Sequence, residues 1–137
     1  LALHEYSPDR PLAIGGCTIG FTPTVHYISA YAMRIDAGAG VLGYSADTAP
    51  CDQVPELVRG ADLFLCEAAL GAGGKEDGRR GHLNAHEAGR MASAAGVQHL
   101  VLTHYSAKAH PDSMREAAAQ AFSGKITVAD DGMELGF

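Results

Sequence analysis

The chain has 137 residues, of which 47% are hydrophobic, and it carries a formal net charge of −6 at pH 7. That length suits one domain with a substantial hydrophobic core, and no apolar run approaches the roughly 20 residues that a membrane-spanning helix needs. The ten basic residues are scattered apart from the pair Arg79-Arg80, which excludes a surface that binds nucleic acid by bulk electrostatic attraction.

The first part of the chain, residues 12–47, is predicted to form three successive strands joined by glycine-rich turns. The strands are about Ile14–His26, Ala30–Ile35 and Val41–Ser45. The Asp-Ala-Gly-Ala-Gly segment at 36–40 is typical of a hairpin turn. Pro23 interrupts the first segment, because proline has no N–H to donate to a sheet, so continuous strand is not expected over its whole length.

After Thr48 the pattern changes to helices that alternate with strands, which predicts right-handed βαβ crossovers with helices packed on a sheet. The predicted helices are near Gln53–Arg59, Ala85–Ala95 and Pro111–Ala121. The predicted strands are Leu63–Cys66, Gln98–Thr103 and Ile126–Ala129. The middle helix has the clearest boundaries, since Asn84 and Glu87 are spaced as in a capping box and Gly96 follows the last turn.

A glycine-rich, charged segment at 71–81 connects the second of these strands to the middle helix. It contains five glycines and five charged residues, a composition that cannot form a core, so it is predicted to be a mobile loop. The segment leads directly into His82. It is therefore either a lid beside an active site or a solvated connection, and both interpretations stay open.

Three residues of metal-ligand type follow strand-like runs. Asp47 follows an apolar strand, His104 follows the run at 100–103, and His26 follows the segment at 17–25. The carboxyl ends of strands carry the chemistry in α/β sheets, and two imidazoles with a carboxylate are typical metal ligands. Each residue also has a plainer interpretation. Asp47 can cap a turn or a helix, His104 can be a hydrogen-bonded surface group, and His26 can be a core histidine that donates to a backbone carbonyl.

Five short motifs occur in the order found in one hydrolase family. They are Thr24-Val25-His26, Tyr44-Ser45-Ala46-Asp47-Thr48, Leu65-Cys66-Glu67-Ala68, Gly81-His82-Leu83-Asn84-Ala85 and Leu102-Thr103-His104-Tyr105-Ser106. Over about residues 12–137 the chain resembles the C-terminal half of metallo-β-lactamase-fold hydrolases, most closely the ribonuclease Z-like phosphodiesterase branch. The resemblance implies an α/β fold, the C-terminal half of an αββα sandwich, with residues 1–137 as a partial domain. The family's N-terminal His-x-His-x-Asp-His loop does not occur in this sequence, so the chain is expected to be part of a longer protein.

The resemblance also implies roles for the three candidate ligands. Two divalent metal ions, zinc or alternatively manganese, activate a hydroxide that attacks a phosphodiester in RNA or in a cyclic nucleotide. Asp47 bridges the two ions, His26 is a ligand of the first and His104 is a ligand of the second.

A second pair of residues is matched to the leaving-group step. Glu67 ends a strand where an unpartnered carboxylate would be costly, and His82 stands just before a helix. We expect Glu67 to orient His82, which acts as the acid for the departing alkoxide; a structural hydrogen bond between strand and helix is the alternative. The family motif continues with Ser or Thr after this histidine, whereas this chain has Leu83-Asn84. That difference favours phosphodiesters other than tRNA 3′ ends.

Other interpretations remain beside this one. The chain can be a same-fold hydrolase of a thioester, lactam or lactone, or a non-catalytic interaction module that lacks a complete metal site. Half a sandwich is expected to expose one sheet face, which predicts a homodimer or pairing with the N-terminal half. The three cysteines are widely spaced, which indicates reduced thiols and a cytoplasmic location. The remaining candidates along the chain are expected to be solvated histidines: His86, His99 and His110.

Overall fold

The computed structural model describes residues 3–136, in which one seven-stranded sheet is accompanied by three helices. The strands, in spatial as well as chain order, are β1 (Leu12–Ile14), β2 (Cys17–Pro23), β3 (Tyr31–Asp36), β4 (Val41–Tyr44), β5 (Leu63–Glu67), β6 (His99–Thr103) and β7 (Lys125–Val128). The helices are α1 (Gln53–Leu57), α2 (Ala85–Ala95) and α3 (Pro111–Ala119). Strands β1 to β4 pair antiparallel, and β4 to β7 pair parallel.

The first predicted strand is divided by a tight turn. Gly15 and Gly16 have φ values of 57° and 81°, which a type I′ hairpin turn requires and which glycine adopts without steric cost. The additional strand β1 pairs with β2 across this turn, with Ile14 opposite Cys17. Strand β2 ends at Pro23, where the missing N–H predicted an interruption, and His26 lies in the following loop. The segment Ile14–His26 is therefore not one strand.

The helices pack on one face of the sheet. Residues that alternate along β5 and β6 point to this side and are fully buried: Phe64, Cys66, Leu100 and Leu102. The apolar residues of α2 are buried on the same side, and α3 contributes Met114 and Ala118. Parallel strands joined by helices place their carboxyl ends at the same sheet edge, and that edge carries the candidate site.

Helix α2 begins with the predicted capping box. The Asn84 side chain accepts from the Glu87 N–H at 2.9 Å, and the Glu87 carboxylate accepts from the Asn84 N–H at 3.1 Å. Gly96 ends the helix in the left-handed conformation, with φ 63°. These bonds satisfy backbone groups that a helix end otherwise leaves unpaired, so the helix starts at a fixed residue.

One histidine lies in a different environment from the one predicted. His99 is the first residue of β6 and is 7% exposed, with Nε2 2.8 Å from Thr127 Oγ1. Burial, with a smaller contribution from the Lys125 charge, holds the pKa of His99 below its ordinary value. The prediction of a solvated His99 was wrong, because pairing of β6 with β7 places its ring against Thr127 and away from solvent. His110 is exposed as predicted, and His86 is half-buried.

The second face of the sheet carries a broad apolar surface. Strand pairing and alternation place these partly exposed side chains on it: Leu12, Cys17, Ile19, Phe21, Met33, Ile35, Leu42 and Leu65. Leu63 and Val101 point to the same face and are buried. In an αββα sandwich this is the face that meets the second sheet. The mixed α/β architecture with helices on a single face therefore confirms the predicted fold class. None of the helices in residues 3–136 is long and apolar enough to cross a membrane.

Candidate metal centre

Asp47 lies in a sharply turned loop just beyond β4. Ala46 has a φ of 49°, a left-handed value that is uncommon for a residue with a Cβ. The buried Ser45 hydroxyl donates to the Ala46 carbonyl at 2.7 Å and accepts from the Glu67 N–H at 2.9 Å. On the other side, the Thr24 hydroxyl donates to the Asp47 carbonyl at 2.8 Å. The Asp47 backbone is thus held between β5 and the loop that follows β2.

His104 occupies the equivalent place beyond β6. Its φ of 55° is again left-handed, which ends the strand and turns the imidazole toward Asp47. His104 Nδ1 lies 3.1 Å from Asp47 Oδ1. The His104 side chain is 50% exposed, so its imidazole is open to solvent on the other side.

His26 approaches Asp47 from the opposite direction. Its Nε2 lies 3.8 Å from Asp47 Oδ2, and its Nδ1 lies 2.9 Å from the Gly81 carbonyl oxygen. Because a carbonyl oxygen only accepts, Nδ1 carries the proton and Nε2 presents a lone pair toward Asp47. The loop around His26 is tied to the Asp47 loop by a bond from the Ala49 N–H to the Val25 carbonyl, at 2.7 Å.

Glu67 is 1% exposed and fully supplied with donors. Four groups reach its two oxygens at 2.9–3.2 Å: the N–H groups of Thr48, Ala69 and Leu83 and the Nδ1 of His82. A buried carboxylate with a donor in every direction has little capacity left for a metal ion. Its evident effect is to fix the ring of His82, 2.9 Å away.

The structure brings all five predicted site residues to one edge of the sheet. Asp47, Glu67, His82 and His104 each offer one ligand-type atom, and these atoms lie within 4.8 Å of one another. The His82 ring stands between the other two imidazoles, with centroid distances of 4.9 Å to His26 and 5.5 Å to His104. Two neighbouring parts result: Asp47 with the imidazoles of His26 and His104 around it, and a histidine held by a buried carboxylate.

Two residues at this edge escaped the sequence reasoning. Tyr27 donates its hydroxyl proton to Glu76, 49 residues away, and Glu76 also accepts from the N–H groups of Gly81 and His82. Glu76 belongs to the loop at 71–81, where it was counted only as one charge among five. The available signal was the position of Tyr27 directly after His26, which places an aromatic hydroxyl beside the site.

Comparison with known proteins identifies the family to which the chain belongs. Residues 1–105 match the family described as the beta-lactamase superfamily domain, and the chain therefore belongs to the metallo-β-lactamase superfamily. Among its relatives, the protein named "Probable metallo-hydrolase YhfI" of Bacillus subtilis (strain 168) is 38% identical over 128 residues, 93% of this chain and 52% of that protein. The crystal structure of YhfI superposes with a TM-score of 0.87 at 37% identity, over 93% of this chain and 52% of that one.

A second relative carries a more specific name. Ribonuclease Z of Streptomyces avermitilis is 37% identical over 126 residues, which make up 90% of this chain and 38% of the enzyme. The chain spans about half the length, or less, of the curated relatives it matches.

Proposed function

We propose that this chain contributes part of the active site of a metal-dependent phosphodiesterase. The observation that carries the proposal is the placement of two imidazole nitrogens against the two oxygens of Asp47, beside a separate His82–Glu67 pair. Nitrogen and oxygen donors about 2.0–2.2 Å from a common ion are separated by roughly 3–3.5 Å, close to the 3.1 and 3.8 Å of this site. The donor set therefore fits divalent metal ions, zinc or manganese.

In this proposal Asp47 would be the carboxylate shared by two ions, because each of its oxygens faces a different imidazole. His26 would hold the first ion through Nε2, since the Gly81 carbonyl fixes the tautomer that leaves this nitrogen unprotonated. His104 would hold the second ion through Nδ1. When bound, two such ions stabilise negative charge on the phosphoryl oxygens and lower the pKa of the attacking water.

His82 serves the leaving group. Its Nδ1 is held by Glu67, so its Nε2 is the atom that can deliver a proton to the departing oxygen. Glu67 is buried and its other bonds go to backbone N–H groups, which keeps the ring from rotating. Glu67 is thus a positioning residue, and His82 is the catalytic acid.

The proposed substrate class rests on the name of one relative and on the net charge of this chain. Ribonuclease Z of S. avermitilis carries a name that denotes RNA cleavage, which supports phosphodiester chemistry for this chain. The net charge of −6 and the Leu83-Asn84 sequence after His82 favour a small phosphodiester, such as a cyclic nucleotide, over a long RNA. The three free cysteines agree with a cytoplasmic location.

The test compares a phosphodiester with a lactam, two substrate classes that remain open for a hydrolase of this fold. The protein is purified in the longer form that the sequence leads us to expect, loaded with zinc or manganese, and assayed on bis(p-nitrophenyl) phosphate and on a chromogenic cephalosporin. We expect about two metal equivalents by elemental analysis, turnover of the diester and none of the lactam. Asp47→Asn should abolish both metal binding and turnover, whereas Asp52→Asn, at an exposed carboxylate, should change neither. Hydrolysis of the lactam instead of the diester would contradict the assigned substrate class.

A further inference from the structure

The loop at 71–81 is fastened to the His26 loop through one carboxylate. Glu76 accepts the Tyr27 hydroxyl proton through Oε1, and its Oε2 accepts from Gly81 N–H at 2.8 Å and His82 N–H at 3.0 Å. The two side chains joined by the first of these bonds, Tyr27 and Glu76, are 49 residues apart in the sequence. Glu76 is therefore bonded both to the neighbour of one candidate metal ligand and to the backbone of the candidate acid.

A second carboxylate holds the same segment from the other side. Glu67 accepts from His82 Nδ1 and from the Leu83 N–H at 3.2 Å. The His82 backbone is bonded to Glu76 while its ring is bonded to Glu67, so the residue is clamped between two acceptors. The Gly81 carbonyl completes the arrangement by accepting from His26 Nδ1.

The packing at Gly81 shows how closely these segments meet. A Cβ at this position would lie 2.6 Å from ring atoms of Tyr27 and 3.0 Å from His26 Nδ1. Only glycine fits there without displacing one of the two rings. The Tyr27 ring thus contacts the backbone that leads into His82, and its hydroxyl reaches Glu76 beyond it.

The charge states suit this network. The hydrogen bond from Tyr27 and the bond from the Gly81 N–H hold the pKa of Glu76 at about 2, so the carboxylate is ionised at neutral pH. The Tyr27 hydroxyl is the donor of its bond to Glu76, because an ionised carboxylate only accepts. Hydrogen bonds to an ionised acceptor are shorter and stronger than those between neutral groups.

We propose that Tyr27 and Glu76 are positioning residues that set the distance between His82 and the leaving-group oxygen. The proposal rests on the phosphodiesterase function proposed above. A displacement of a catalytic group by about 1 Å can lower a rate by about 100-fold, so the loss of a bond that holds the His82 backbone is expected to lower the rate. The alternative is a bond that only fastens the loop, which would affect folding but not the proton-transfer step.

The test uses the dependence of rate on the leaving group. The variants are Tyr27→Phe and Glu76→Gln, and the control is Asp77→Asn, which makes the same charge change at the exposed neighbouring carboxylate. Each is assayed on a thymidine p-nitrophenyl phosphodiester, whose aryloxide leaves without a proton, and on a thymidine dinucleotide, whose alkoxide needs one. We expect kcat on the dinucleotide to fall about tenfold or more in both variants, with KM and the aryl ester rate little changed. Asp77→Asn should behave as wild type.

Three results would overturn the proposal: equal losses on both substrates, no loss on either, or a loss in the control as large as in the variants. A second readout on metal-free protein is independent of catalysis. Amide hydrogen exchange at His82 should accelerate about tenfold or more in Glu76→Gln and stay unchanged in Asp77→Asn. If the wild type does not hydrolyse both diesters, the proposed function fails in this form. The exchange measurement then tests the Glu76 bond to the His82 N–H by itself, and unchanged exchange at His82 rejects the positioning role.

Discussion

At the scale of single residues, the site is built from strained and buried groups that neighbouring bonds keep in place. Ala46 and His104 both have left-handed φ values, 49° and 55°, at which a residue with a Cβ is disfavoured by an amount on the order of 1–3 kcal/mol. Each of them bends the chain where a strand ends, so that a candidate ligand faces the site. The buried Ser45 hydroxyl, bonded to the Ala46 carbonyl, helps to hold the first of these bends.

His82→Ala is expected to separate catalysis from metal binding. The substitution removes the proposed acid but none of the three proposed ligands, His26, Asp47 and His104. Turnover of an alkyl phosphodiester should therefore fall about 100- to 10,000-fold while metal content is unchanged. Steady-state kinetics and elemental analysis on one preparation test this. His104→Ala should lose metal as well as activity, and His110→Ala, at an exposed histidine, should lose neither. Loss of metal from His82→Ala would show that His82 is a ligand.

At the scale of elements, the start of α2 connects the helix to the loop beside the site. Asn84 caps the helix through its side-chain oxygen, and its Nδ2 donates to the Gly74 carbonyl at 3.1 Å. The Ala85 N–H donates to the Gly71 carbonyl at 2.8 Å. The loop at 71–81 was predicted to be mobile. The structure shows that it is bonded to α2 at one end and, through Glu76, to Tyr27 and His82 at the other.

Removing this cap should destabilise the fold by a measurable amount. Asn84→Ala is expected to lower the free energy of unfolding by about 0.5–2 kcal/mol, because the Glu87 N–H loses its acceptor. Asn84→Asp keeps the acceptor and loses only the donor to Gly74, so its loss should be smaller. Urea unfolding provides the measurement, with Ser93→Ala at an exposed position of the same helix as control. Equal stability of Asn84→Ala and Ser93→Ala would mean that the cap contributes nothing.

At the scale of the whole molecule, the two faces of the sheet differ. Helices cover one face, and the other carries apolar side chains from β1 to β6, among them Ile14, which is 60% exposed. Neighbouring apolar side chains on one sheet face differ from the singly scattered apolar residues of ordinary protein surfaces, and contiguous apolar patches mark interfaces. In the αββα sandwich of this superfamily that interface is internal, between two sheets.

We expect this chain, expressed by itself, to associate through the open face. Light scattering should show mass that increases with protein concentration, because association removes apolar surface from water. Ile35→Lys places a charge in the middle of this face and should shift the population toward monomer. Ala37→Lys adds the same charge in the exposed β3–β4 turn and should have no effect. A monomer at every concentration in the wild type and in both variants would show that this face does not mediate association.

The sequence alone predicted the features that depend on neighbours along the chain. Strand-like runs, the turns between them and the alternation of helices with strands located β3 to β7 within one residue at each end, and the Asn84–Glu87 spacing predicted the α2 cap. Ligand-type residues at strand ends, together with the family resemblance, identified the five candidate site residues before any distance was known. The roles of these residues stay predictions, because short distances between their atoms do not test metal binding or catalysis.

Only the tertiary structure decided which atoms meet. The burial of His99 and the bond between Tyr27 and Glu76 both depend on strand register and on loops brought together from distant parts of the chain. Helix and strand periodicity are set by local backbone geometry, which a sequence pattern records directly. A contact across 49 residues depends instead on how the whole sheet is assembled, and for this reason the network around His82 appeared only in three dimensions.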